Sequence, residues 1–179
     1  MKWPKAALRR LRRDERGVSL VEFALTAPFL ILLYLGTYQV NDAVGCNRKV
    51  TITARSVADL TSQYANVTSA SEATILNASA QVMAPYDTAK ATIIVSELYT
   101  DTNGVTKIVW SQATGTTTPH TAGATFTANA NLVTNGTYSI VAEVTYAYVP
   151  AISFGVVGPL SLGDTIYMRP RISSSVTMS

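Results

Sequence analysis

From Val18 to Val40 the chain runs VSLVEFALTAPFLILLYLGTYQV, a stretch in which Glu22 is the only ionisable side chain apart from the tyrosines. As an α-helix these residues span about 35 Å, more than a hydrocarbon core of about 30 Å, so the pattern predicts a membrane-crossing helix. Pro28 removes one backbone hydrogen bond in its first half, which allows a bend there. Apolar positions then continue at helical steps through Val50, Ala54, Val57, Ala58, Leu60 and Tyr64, with Arg55, Asp59, Ser62 and Gln63 between them. One helix is therefore expected over 18–64, about 70 Å long, with its first half to about residue 40 in the membrane.

Further on, Ser69 and Glu72 have the spacing of a capping box, and Ile75, Leu76, Val82 and Met83 supply an apolar face that ends at Pro85. This predicts a second, shorter helix. The period then changes to two. Ala91–Tyr99 and Val105–Trp110 flank the turn signal Asp101-Thr102-Asn103-Gly104, which predicts a hairpin. Residues 111–136, rich in Thr, Ala, Gly and Asn, are expected to form a surface loop. The strongest strand pattern is Thr137–Val149, with Tyr138, Ile140, Ala142, Val144, Tyr146 and Tyr148 on one face and Pro150 as its stop. A link through Gly155, Gly158 and Pro159 leads to a last strand over Leu160–Met168, with a continuation after Pro170 to Val176. The expected architecture is α+β: a long helix packed against a short helix and an antiparallel sheet of about four strands, with residues 65–179 as one extracytoplasmic domain.

Charge sets the orientation. Seven of the fourteen Lys and Arg residues (Lys2, Lys5, Arg9, Arg10, Arg12, Arg13 and Arg16) precede the apolar run, against Arg48, Lys49 and Arg55 soon after it, which places the N-terminus in the cytoplasm. The rest of the chain carries seven basic and nine acidic side chains, so the basic balance belongs to residues 1–17 and gives no support to nucleic-acid binding. A single cysteine, Cys46, excludes an intramolecular disulfide and a cysteine-cluster metal site. No cofactor or catalytic motif is present. His120 stands alone in the Thr-rich loop as a surface histidine, and Asp87, Glu97, Asp101, Glu143 and Asp164 lack acid/base spacing. The residues thus argue against an enzyme.

The segment Arg16-Gly17-Val18-Ser19-Leu20-Val21-Glu22-Phe23 sets a glycine, an apolar residue and a carboxylate five places after the glycine between a basic leader and an apolar helix. This pattern closely resembles the cleavage site of type IV prepilins. The resemblance is closer still to TadE-like proteins of the tight-adherence (Tad, Flp) pilus system: through RGVSLVEFALTAPFLILLYL over Arg16–Leu35, and more weakly through VTYAYVP at Val144–Pro150 and MRPR at Met168–Arg171. Ser19 stands where many type IV pilins have threonine.

The resemblance implies a pilin-like fold in a minor pseudopilin, and a leader, residues 1–17, cut off by a prepilin peptidase between Gly17 and Val18. Its implied partners are other Tad minor pilins, the major pilin, the inner-membrane pilus assembly platform and membrane lipid. It also implies that Glu22 meets the N-terminal amine of a neighbouring subunit, which offsets the cost of a carboxylate in hydrocarbon. Beside this stand a juxtamembrane role for Glu22, paired with Arg16 or solvated, and a cleaved secretory signal. A further alternative is a membrane-anchored or lipidated adhesin-like domain. Its lipid would attach to Cys46 in the degenerate lipobox Ala43-Val44-Gly45-Cys46, and Tyr138, Tyr146 and Tyr148 would be its binding face. The competing reading of that tyrosine row is a strand face packed on the long helix.

Overall fold

The structure, a computed structural model, describes residues 16–150 and 158–179, with side chains from Gly17 onward. Residues 1–15 of the leader and the Gly155 part of the last link fall outside the described residues. Helix α1 spans Arg16–Ser62 and runs unbroken through Pro28. It is already helical at Arg16, ahead of the expected Val18, and stops two residues before Tyr64. At its end the Gln63 and Tyr64 amides bond back to the Leu60 and Thr61 carbonyls in a tightened last turn.

Along α1 two regimes follow each other. Up to Tyr38 no described side chain is buried, and Leu20, Phe23, Leu25, Phe29, Leu33 and Tyr34 are all open. Cover begins at Gln39, and from Ala43 onward one stripe (Ala43, Cys46, Val50, Ala54, Val57 and Ala58) is buried at steps of three and four. These are small or β-branched side chains, so the helix axis lies close to what it packs on. Its partner is the sheet face of Ile93, Val95, Ile140, Ala142, Val144, Tyr146 and Tyr148. The tyrosine row is thus a packed face from Tyr146 to Tyr148, while Tyr138 stacks on Tyr99 across the strand pair with ring centroids 4.8 Å apart.

The short strand β1 (Asn66–Val67) precedes helix α2 (Ser69–Ala80), which continues as a 3-10 turn over Gln81–Met83. The helix cap is one residue earlier than the capping box places it. Thr68, in extended conformation, is the N-cap, and its hydroxyl accepts from the Ser71 amide at 3.1 Å. Glu72 does not reach back to a cap amide. It turns inward, fully buried, and accepts from the Thr61 hydroxyl at 2.7 Å.

Strands β2 (Ala91–Thr100), β3 (Thr106–Ala113), β4 (Thr137–Tyr148) and β5 (Leu160–Met168) form an antiparallel sheet in the order β3-β2-β4-β5. The architecture is therefore the expected α+β one. In the β2–β3 turn, Asp101 Oδ1 accepts from the amides of Asn103 and Val105, and Gly104 adopts φ +83°, which a glycine holds without strain. A bulge between Glu97 and Leu98 sets Trp110 opposite Glu97 and Ile108 opposite Leu98. Trp110 consequently serves the face covered by α1, and Ile108 serves the outer face with Leu98, Val141 and Phe126.

The segment after β3 is more ordered than a free loop. β3 ends beside Ile94 and β4 begins beside Thr100, so the chain must travel back along the sheet. It does so against the open edge of β3, where the Ile108 amide donates to Ala124, Gly123 to Ile108 and Phe126 to Thr106. This return run covers an edge that would otherwise present unpaired amides. After β5 the expected continuation to Val176 is not a strand. Residues 171–176 are irregular, and only β6 (Thr177–Met178) is extended, paired parallel with β1.

Candidate functional site

Gly17, Val18 and Glu22 all lie in the first two turns of α1 and are exposed. Val18, Val21, Glu22 and Leu25 fall at steps of three and four, so the carboxylate stands on an otherwise apolar face. Among the described residues Glu22 has no ion-pair partner, and the side chain of Arg16 lies outside them. A turn further on, the Thr26 hydroxyl donates to the Glu22 and Phe23 carbonyls. Gly17 is helical, not extended, and a Cβ placed on it would meet nothing within 4 Å. Any enzyme that cuts after it must therefore unwind the first turn, where amides lack intrahelical partners and glycine favours the unwound state.

The second constellation lies where α1 meets the sheet domain. Asp42 is two residues past the apolar run, and its carboxylate accepts from Tyr148 Oη at 2.7 Å and from Tyr86 Oη at 3.0 Å. Tyr86 Oη also lies 3.0 Å from the Asp42 carbonyl. Burial, with the Asp42 carboxylate second, pushes the Tyr86 phenol up to about 12 and the Tyr148 phenol up as well. Both stay protonated and act as donors. Gly45, one turn on, leaves room for Tyr86: a Cβ there would sit 3.1 Å from its oxygen. Cys46 is fully buried in this cluster, and desolvation followed by the nearby Asp42 charge pushes its thiol up to about 11. A buried, protonated thiol inside a helix is poorly placed to react with a lipid donor.

The distal end is fastened by polar groups that no sequence motif marks. Glu97, 1% exposed on the helix-facing side of β2, accepts from the Val176 amide at 2.5 Å, and Trp110 Nε1 donates to the Val176 carbonyl at 2.6 Å. Burial pushes the Glu97 carboxyl up to about 7, while the Val176 amide and the Trp110 indole work in the opposite direction. Arg171 pairs with Asp59, and its amide donates to the Ser62 carbonyl, so the chain end is tied to the end of α1. The second oxygen of Glu72 has no hydrogen-bond partner among the described residues, and burial pushes that carboxyl up too.

His120 is not a free surface side chain. Its Nε2 is 2.5 Å from Glu143 Oε2, and its ring meets Phe126 edge-on at 5.7 Å, which pins the return run onto the outer sheet face. Asp101 shapes a turn and Asp164 accepts from Thr51 on α1, so these carboxylates fasten elements and do not converge. Among the described residues no three His, Cys, Asp or Glu side chains are grouped to hold a metal.

Gly17, Val18 and Glu22 are thus brought onto one exposed helix end, separate from the polar ties of the domain. Those ties escape sequence reasoning because Asp42 and Tyr148 are 106 positions apart and Glu97 and Val176 are 79 apart. The only local signal is a carboxylate at the end of an apolar run, Asp42, and one inside a strand of β-branched residues, Glu97. No family model, curated protein or solved structure matches this chain.

Proposed function

We propose that the chain is a TadE-like minor pseudopilin, a structural component of a tight-adherence pilus, held in the inner membrane by α1 with its N-terminus in the cytoplasm and its sheet domain outside. A prepilin peptidase removes the leader after Gly17 and leaves Val18 as the new N-terminus. The observation that carries this reading is the first half of α1: a helix apolar and long enough to cross a membrane, no described side chain of which is buried before Gln39, bearing a lone carboxylate at Glu22. Such a helix needs lipid, other helices, or both. A carboxylate on that face is costly in hydrocarbon until a counter-charge arrives, and a neighbouring subunit's N-terminal amine supplies one. Other minor pilins, the major pilin and the assembly platform are the partners this reading names.

Glu22→Ala separates processing from assembly. On this reading the variant is cleaved like the wild type, because the peptidase reads Gly17 and the leader, yet it supports few or no pili. Glu22→Gln is intermediate, since it keeps a hydrogen-bonding oxygen without the charge. Wild-type piliation by Glu22→Ala at normal protein levels would overturn the assembly role and leave an interfacial carboxylate. The competing anchored or lipidated binding domain is disfavoured by the burial of Cys46, Tyr146 and Tyr148.

A further inference from the structure

We infer that the membrane-proximal end of the sheet domain, at Val149 and Leu160, rests in the outer surface of the lipid bilayer as a second membrane contact besides α1. The inference depends on α1 crossing the membrane, as proposed above. It follows from two ties that set the height of the sheet on the helix. The first is Tyr148 to Asp42, and the second is the Thr51 hydroxyl to Asp164. From Asp42 to Thr51 the helix rises about 13 Å, and from Leu160 to Asp164 the strand rises about 13 Å as well. The ties therefore agree, and both place the β4–β5 end level with Asp42. Leu160 pairs directly with Tyr148 across the two strands.

Val149 is one residue beyond Tyr148 in the direction of the membrane, about 3 Å lower, which is the height of Val40 where the apolar run ends. Two apolar side chains there are uncovered: Val149 is 55% exposed and Leu160 43%. At the other end of the sheet the β2–β3 turn is polar, with Asp101, Thr102 and Asn103. Two exposed apolar side chains at the height of the membrane surface, with the exposed Lys90 before β2 at the same end of the sheet to meet lipid phosphate, suit a lipid interface as the occupant. Asp42 stands at the same height with its carboxylate held by Tyr148 and Tyr86, so it does not meet the bilayer as a bare charge.

The test uses the full-length chain, with Cys46 replaced by alanine, in vesicles of phosphatidylethanolamine and phosphatidylglycerol. Single cysteines at Leu33, Val149, Leu160 and Asn103 carry an environment-sensitive fluorophore. Quenching is read with lipids bearing a nitroxide near the headgroup or deep in the chain, and with aqueous iodide. The label at Leu33 is expected to respond to the deep nitroxide and the label at Asn103 to iodide alone. Labels at Val149 and Leu160 are expected to be quenched several-fold more by the shallow nitroxide than the label at Asn103. If Leu33 responds to lipid while Val149 and Leu160 behave like Asn103, the second contact is refuted and the span stands. Protection of Val149 and Leu160 from both quenchers would mean that protein covers this end, which also refutes it. A Leu33 label open to iodide would refute the span and, with it, the contact.

Discussion

Tyr148 Oη donates a 2.7 Å hydrogen bond to Asp42 Oδ2, joining the last residue of β4 to the helix two residues after its apolar run ends. The bond crosses 106 positions of sequence, and it lies within one turn of Gln39, where cover of the long helix begins. Because the acceptor is a carboxylate and the site is partly buried, Tyr148→Phe is expected to cost about 1.5–3 kcal/mol. Thermal unfolding of the full chain in detergent should show a midpoint several degrees lower. An unchanged midpoint would mean that this bond adds nothing to the hold that the apolar stripe and the other ties already have on α1.

The Glu97 carboxyl titrates near 7 in the folded chain, raised from an ordinary value of 4.5 by burial. The folded state therefore holds a proton that the unfolded chain gives up over this range, so the stabilisation is complete below about pH 4.5 and is lost as pH rises through 7. Glu97→Gln removes the ionisation while keeping an acceptor for the Val176 amide. Measured by denaturant unfolding, the variant's stability relative to wild type should rise from pH 5 to pH 8 by about 2 kcal/mol. A difference that does not change with pH would show that Glu97 stays charged when folded.

Among the described residues Thr61 supplies the only hydrogen bond to the Glu72 side chain, whose other oxygen has no partner there. Thr61→Val should cost about 2–3 kcal/mol, because it leaves a buried carboxyl unsatisfied. Adding Glu72→Met should restore most of that loss, since no buried polar group then remains. The double-mutant cycle is expected to give a coupling of about 1 kcal/mol or more, and additive effects would contradict the pairing.

Gly17→Val tests the start of α1. A β-branched residue there both crowds a protease cleft and makes the unwinding of the first turn harder than glycine does. In cells containing a prepilin peptidase the variant should migrate as the longer precursor, and Gly17→Ala should be cut in part. Identical mobility of wild type and Gly17→Val would remove glycine from the recognition pattern.

The long helix, the short helix, the hairpin and the tyrosine strand are legible in sequence because each rests on local periodicity. Ala43 through Ala58 keep helical steps, Ala91 through Tyr99 alternate, and Asn103-Gly104 marks the turn between strands. The cap of α2 misleads because Glu72 has the spacing of a capping box but gains more from the buried Thr61 hydroxyl. His120 is misread because its partner Glu143 is 23 residues away, on β4. The return run after β3 has a composition shared with unstructured loops, and only the β3-β2-β4 strand order shows that it must retrace the sheet. Gly17, Val18 and Glu22 stand out locally for a different reason: a glycine before an apolar run and a carboxylate within it are chemical oddities that need no fold to be seen.

The mass of the mature N-terminus tests the central claim most directly. Purified from cells that contain the peptidase, the chain should begin at Val18, having lost residues 1–17. A chain that still begins at Met1, or one that begins at a lipidated Cys46, would contradict the account.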